Sequence, residues 1–128
     1  MLSRAGMDLD RERERMVDEQ LRRRGIADTR VLAAMGAVPR EAFVPTSDRA
    51  RAYYDGALPL SHGQTISQPL MVAMSVEALR LSGDETVLEV GAGSGYQAAI
   101  LSKLAKKVYA IEIVPELLAD ARRSLDSL

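Results

Sequence analysis

Val87-Leu88-Glu89-Val90-Gly91-Ala92-Gly93-Ser94-Gly95-Tyr96 joins a short apolar run to a helical stretch through glycines at three alternate positions. Without a Cβ, glycine lets the backbone take positive φ and approach a ligand closely. A helix starting near Ser94 would aim unpaired N–H groups at whatever sits above the turn. A helix of about two to three turns follows, and then the apolar run Lys107-Val108-Tyr109-Ala110-Ile111 reads as a second strand closed by Glu112. Strand, glycine turn, helix, strand and terminal acid describe one nucleoside-binding βαβ unit of an α/β fold.

Spacing selects the nucleoside. A dinucleotide fingerprint beginning at Gly91 needs its third glycine at position 96, but that residue is Tyr96 and the third glycine, Gly95, comes one residue early. Glu89, two residues before the first glycine, would repel a pyrophosphate across a short gap and welcome a cation. A tight strand-to-helix turn without any ligand would need one glycine, not three with two placed acids. The pattern E-V-G-A-G-S-G resembles the first motif of class I methyltransferases. That resemblance implies a Rossmann-like fold and S-adenosyl-L-methionine, a ligand with a sulfonium, an α-ammonium and no phosphate. It also implies that Glu112 takes both ribose hydroxyls, and that Glu89, Gly91, Gly93, Ser94 and Gly95 belong to the cofactor site.

Composition narrows the class. The chain has 128 residues, 47% hydrophobic and 27% charged, enough for one core of ordinary size. The apolar runs are far short of a membrane span and the N-terminus carries no basic-then-apolar leader pattern, so a cytoplasmic protein is expected. With no cysteine and a single histidine, His62, neither a thiolate nor an imidazole-rich metal centre is available. A net charge of -1 leaves no footprint for nucleic acid. The arginines between Arg11 and Arg24 alternate with Glu12, Glu14, Asp18 and Glu19, as on a solvated helix face laced by ion pairs.

The chain divides near Gly83, giving a helical cap with lid loops over 1–82 and the first half of the cofactor-binding unit over 83–128. Asp8 to Arg24 fits a helix with Met16, Val17 and Leu21 inward, stopped at Gly25. Asp28 caps a second helix facing Val31, Leu32 and Met35 inward, and Pro39 sets an extended exit through Phe43-Val44-Pro45. Arg51 to Gln68 has little periodicity but too much apolar surface for a linker, so an ordered loop is expected. A helix over about Pro69 to Leu81 follows, with Met71, Val72, Val76 and Leu79 as core candidates. Phe43 and Tyr109 are also expected in the core, and a final helix runs from Pro115 to Leu125.

Three segments carry a narrower likeness: Val38-Pro39-Arg40-Glu41-Ala42-Phe43-Val44-Pro45, Ala52-Tyr53-Tyr54-Asp55-Gly56-Ala57-Leu58-Pro59-Leu60, and Gly63-Gln64-Thr65-Ile66-Ser67-Gln68-Pro69. Continued in order through E-V-G-A-G-S-G-Y-Q-A, they are similar to protein-L-isoaspartate O-methyltransferases. The resemblance implies methyl transfer from S-adenosyl-L-methionine to the α-carboxylate of an L-isoaspartyl residue in a damaged protein, the first step of its repair. It assigns the active-site serine to Ser67, whose bland alternative is a helix N-cap. It assigns the cofactor-side lid to Gln64, Thr65 and Ile66. It assigns the loop over the substrate backbone to Tyr54, Asp55, Ala57, Leu58 and Pro59. His62 receives no role.

The likeness stops after the Pro115 helix, whereas the family continues with further strands. Two strands cannot make that family's sheet, and the edge beside Val87 to Val90 and the flanking helix faces are expected to be uncovered. The chain is therefore expected to be a C-terminally truncated fold, poorly active by itself, able to self-associate or to be completed by a second chain. Two classes of function stay open: an isoaspartyl repair methyltransferase, and a non-catalytic cofactor-binding or interaction fragment. A dinucleotide oxidoreductase is disfavoured by the glycine spacing and by Glu89.

Overall fold

The computed structural model describes residues 4–128. Helix α1, Arg4–Arg15, runs on as a π-helical stretch, Met16–Leu21, and a 3₁₀ turn, Arg22–Arg24, and ends at Gly25 with φ 103°. Met16, Val17 and Leu21 are buried, as the spacing predicts. Helix α2, Thr29–Ala37, starts on Asp28, whose carboxylate accepts from the Arg30 amide at 2.9 Å and the Val31 amide at 3.4 Å. That cap satisfies two of the four donors every helix start leaves open.

Beyond α2 the chain departs from the expected extended exit. Residues Arg40–Phe43 form a 3₁₀ turn, with the Ala42 amide donating to the Pro39 carbonyl at 3.0 Å. This turn brings Arg40 and Phe43 to the interior together. A second 3₁₀ stretch, Thr46–Arg51, leads to the segment expected as a loop, which contains a small antiparallel hairpin: β1, Leu58–Pro59, pairs with β2, Thr65–Ile66. Two-residue strands carry no period, so a sequence pattern could not announce them. Between them His62 and Gly63 both take positive φ, 59° and 69°, closing the short connection.

Helix α3, Pro69–Ala78, ends sooner than expected, with Arg80 at φ 49°. Val72, Ala73 and Val76 face the core, while Met71 and Leu79 are about half exposed, so those two core assignments are corrected. Met71 sits about 100° around the helix from Val72, on the face it shares with exposed Met74.

The remaining elements are β3, Thr86–Val90; α4, Tyr96–Ser102; β4, Lys107–Ile111; and α5, Pro115–Asp126. Strands β3 and β4 pair in parallel with Val87 beside Val108 and Val90 beside Ile111. The sheet therefore has two unlike faces. Val87 and Val108 pack against the core, whereas Leu88, Val90, Tyr109 and Ile111 point outward and are 51–75% exposed, with Ile113 just beyond at 94%. Tyr109 is therefore not a core residue; its ring carries the Lys107 ammonium at 4.8 Å instead. The expected open edge is present, but the larger exposed apolar surface is this whole face.

One buried cluster runs from Met16 and Leu21 through Met35, Phe43, Leu58 and Val76 to Tyr96, Ile100 and Leu104, so cap and βαβ unit share a core. Among the described residues, no helix is long and apolar enough to cross a membrane.

Candidate functional site

A cleft of about 170 Å³ opens between the end of β2 and the glycine turn. Thr65, Ile66 and Ser67 form one wall, and Gly91, Gly93 and Ser94 the other, with Glu89 behind them. Two segments more than twenty positions apart, matched above on sequence alone, thus meet across one opening. Val72, Ala92, Tyr96 and Gln97 also line it and were not expected there. Tyr96 and Gln97 open the helix that follows the turn, a position that could have been marked from the motif; Val72 is brought in by α3, which no local signal shows.

The expected open N–H groups are fewer than the motif implies: the amides of Ser94, Gln97 and Ala98 have no partner, but the others around the turn are engaged. The Gly91 and Ala92 amides both donate to the Ile111 carbonyl at 2.9 Å, the Gly95 amide to the Ala92 carbonyl at 2.9 Å, the Tyr96 amide to Ser94 Oγ at 3.2 Å and the Gly93 amide to Glu112 Oε1 at 2.8 Å. Strand β4 and its terminal acid have taken up the amides of Gly91, Ala92 and Gly93, which would otherwise be donors for a phosphate. Helix α4 begins two residues later than expected, after Gly95 at φ 87°. A Cβ at Gly95 would lie 3.2 Å from Ala121 Cβ, so this glycine lets α4 and α5 approach. A Cβ at Gly93, φ 55°, would meet nothing within 4 Å and would project into open space. Gly93 borders the open space of the cleft; Gly95 serves packing and does not line it.

Glu89 is 7% exposed. Burial pushes its carboxyl up to about 7, opposed only in part by a hydrogen bond from Gln97, and its Oε1 has no hydrogen-bond partner. An unpaired buried acceptor costs about 1–3 kcal/mol, so the position suits a ligand that brings a donor or a positive charge. Glu112 holds the Gly93 amide through Oε1 and the Val114 amide through Oε2 at 3.0 Å; these bonds, the Val114 one foremost, hold its carboxyl below the usual range. It faces a neighbouring groove with Val90, Gly91, Ile111 and Ile113, which shares Gly91 with the cleft.

Ser67 lies in the cleft wall, and its N-cap alternative fails: the N-cap of α3 is Gln68, without a side-chain bond. The Ser67 carbonyl accepts from Arg40 Nη2 at 2.9 Å. Arg40 is wholly buried; its Nε donates to the Ala52 carbonyl at 2.7 Å, its guanidinium stands 5.0 Å from the Tyr96 ring centre, and Nη1 has no partner. No pattern in the sequence predicts a buried arginine.

Gln64 is exposed and does not line the cleft. Nor do Tyr54, Asp55, Ala57, Leu58 or Pro59. Asp55 is tied by Arg24 and by Gln68 Nε2 at 2.9 Å, the Arg24 bond above all holding its carboxyl low. The Leu58 side chain is in the core, so only its backbone is free to meet a ligand. Among the described residues, no group of three or more histidine, aspartate or glutamate side chains could hold a metal ion.

The fold is that of a class I methyltransferase. The family model described as Protein-L-isoaspartate(D-aspartate) O-methyltransferase matches residues 11–128, and the chain belongs to that family. It is 60% identical over 117 residues to protein-L-isoaspartate O-methyltransferase 2 of Anaeromyxobacter sp. strain Fw109-5, a match covering 91% of this chain and 47% of that protein. It is 55% identical over 117 residues to protein-L-isoaspartate O-methyltransferase of Synechococcus sp. strain JA-2-3B'a(2-13), covering 91% and 48%. A Plasmodium falciparum protein-L-isoaspartate O-methyltransferase structure, in complex with S-adenosyl-L-homocysteine, superimposes with a TM-score of 0.73 at 29% identity, covering 90% of this chain and 55% of that one. The chain thus spans about half the length of the curated relatives it matches.

Proposed function

We propose that this chain supplies the cofactor cleft and lid of a protein-L-isoaspartate O-methyltransferase, with residues 1–82 as cap and lid and 83–128 as the cofactor-binding unit. The observation that carries this is the meeting of Thr65–Ser67 with the Gly91–Ser94 turn over the unpaired Oε1 of Glu89. S-adenosyl-L-methionine, when bound, supplies an electrophilic methyl on a sulfonium. Its fit is supported by the unpaired Glu89 Oε1, suited to the α-ammonium, by the open space at Gly93, and by a turn most of whose amides are already bonded within the protein.

The acceptor, the α-carboxylate of an isoaspartyl residue, is ionised at neutral pH and needs no general base. Its oxygen forms the new bond to carbon as the carbon–sulfur bond breaks, giving a methyl ester and S-adenosyl-L-homocysteine. What the protein must do is align these atoms and exclude water. Ser67 orients the acceptor by hydrogen bonding, Gln64, Thr65 and Ile66 close the cofactor side, and Tyr54, Asp55, Ala57, Leu58 and Pro59 form the loop over the substrate backbone. Glu112 accepts from the ribose hydroxyls with the lone pairs its two backbone bonds leave free.

The decisive experiment joins this chain to the part of the Anaeromyxobacter relative that it does not match, and offers an isoaspartyl peptide and labelled S-adenosyl-L-methionine. Base-labile methyl ester is expected; tight cofactor binding with no ester formed would instead make it a binding module. Glu112→Ala is expected to weaken S-adenosyl-L-homocysteine binding by about 2–3 kcal/mol in calorimetry, since two charge-assisted bonds are lost and partly replaced by water. Unchanged affinity in a folded variant would remove the ribose role.

Glu89 makes a pH-dependent prediction. Its carboxyl rises from 4.5 to about 7 on folding, so between those values the folded chain holds the extra proton and its stability falls as pH rises. The penalty is complete above the upper value and amounts to at most about 3 kcal/mol. Glu89→Gln should therefore melt higher than the parent chain at pH 8 and equal to it near pH 4, yet bind S-adenosyl-L-homocysteine less tightly. A variant that melts lower at pH 8 would show that the folded chain holds the carboxylate by more than its bond from Gln97.

A further inference from the structure

Arg40 is a full charge in the core, and what its fork of donors holds is specific. Nε grips the Ala52 carbonyl and Nη2 the Ser67 carbonyl, the two residues that bracket 53–66. That bracketed segment contains every residue assigned above to the substrate loop and every lid residue before Ser67. On the other side stands Tyr96, whose ring lies 5.0 Å from the guanidinium carbon and which lines the cleft opposite Ser67. One side chain thus fastens both ends of the lid segment to the helix that follows the glycine turn.

We propose that Arg40 is a positioning residue for methyl transfer, setting the width of the cleft by holding the Ser67 main chain at a fixed distance from Tyr96. This rests on the reading of the cleft as a methyltransferase site. A planar guanidinium can bridge two carbonyls that belong to different chain segments, while a lysine ammonium on a flexible stem lacks that fixed two-pronged geometry. A buried charge is also a poor device for stability alone, because apolar residues of like volume replace such groups at little or no cost. With Nη1 unpaired, the guanidinium is worse still as a purely structural element. Its geometry, not its contribution to burial, accounts for its place.

The test compares Arg40→Met and Arg40→Lys with the parent chain, by amide hydrogen exchange in the 128-residue chain and by kinetics in the joined protein described above. Both variants are expected to fold. Exchange should quicken about ten-fold or more across 58–66 while α2 and α4 keep their protection. The kcat for an isoaspartyl peptide should fall about ten-fold or more with S-adenosyl-L-homocysteine affinity within about three-fold. Neither variant should lower kcat more than about two-fold further in a Ser67→Ala background, because the effect passes through Ser67. Protection lost evenly across all helices, or rate losses that multiply with Ser67→Ala, would make Arg40 a structural residue and overturn the proposal. Should the unsubstituted joined protein form no methyl ester, the functional reading falls, and local against global loss of protection still decides whether Arg40 sets the lid.

Discussion

Valine at Gly93 is expected to leave the chain folded and to reduce S-adenosyl-L-homocysteine affinity at least about a hundred-fold, whereas valine at Gly95 is expected to damage the fold itself. Both positions have positive φ, 55° and 87°, so each variant carries backbone strain of about 1–2 kcal/mol. The difference is in what the new side chain meets. At Gly93 there is no protein atom within 4 Å of the Cβ, so the isopropyl group occupies space that a ligand would use. At Gly95 the Cβ already stands 3.2 Å from Ala121 Cβ and 3.5 Å from Ala121 backbone atoms, which cannot swing aside. Overpacking there adds about 1–3 kcal/mol, a large part of the about 5–15 kcal/mol that holds a domain together. Thermal unfolding and calorimetry on the two variants separate the cases. Wild-type cofactor affinity in Gly93→Val would show that the ligand lies elsewhere than over this turn.

The exposed sheet face makes the second large prediction. Leu88, Val90, Tyr109, Ile111 and Ile113 are each more than half exposed on one side of the β3–β4 pair. Covering such side chains contributes about 1.5–3 kcal/mol each when complete, and adjacent apolar surface of this kind marks an interaction site. The isolated 128-residue chain should self-associate with a dissociation constant of about micromolar, a free energy near -8 kcal/mol. Val90→Lys together with Ile111→Lys should weaken association by about a hundred-fold without lowering the melting temperature of the monomer, since neither side chain is packed in it. Sedimentation across a concentration series reads both quantities. A chain that stays monomeric throughout, or a double variant that associates as well as its parent, would show that this face attracts nothing.

Much of this was legible in the sequence because several signals coincide over Val87 to Glu112. A five-residue apolar run, three glycines and a terminal acid leave one topology, and both strands fall within a residue of their expected bounds. Legibility fails where tertiary contacts override local signals. The β1–β2 hairpin is too short for a period, and Leu58 belongs to the core although it sits among turn residues. Met71 and Leu79 are apolar at helical spacing yet lie off the buried stripe of Val72, Ala73 and Val76. Arg40 is the sharpest case, because charge predicts exposure and only the two carbonyls it reaches, distant in sequence, explain its burial. The donors of the glycine turn were legible only in part for a similar reason: a motif shows which amides could face a ligand, not that those of Gly91 and Ala92 are already engaged by a neighbouring strand.

Those engaged donors bear on what the site would ignore in a crowded cell. ATP and the dinucleotides share the adenosine moiety of S-adenosyl-L-methionine and are abundant competitors for any pocket that grips adenine and ribose. Discrimination among them depends on the difference in how each is received beyond the ribose. Here a phosphate chain laid over the turn would find the amides of Gly91, Ala92, Gly93, Gly95 and Tyr96 already bonded within the protein, only those of Ser94, Gln97 and Ala98 without a partner, and a buried acid beneath. Desolvating an anion without returning its hydrogen bonds is costly. The wiring of β4 into the turn thus lowers what the turn can offer a nucleotide, and it would work by refusal: fewer donors are left to receive a phosphate than a bare glycine motif implies.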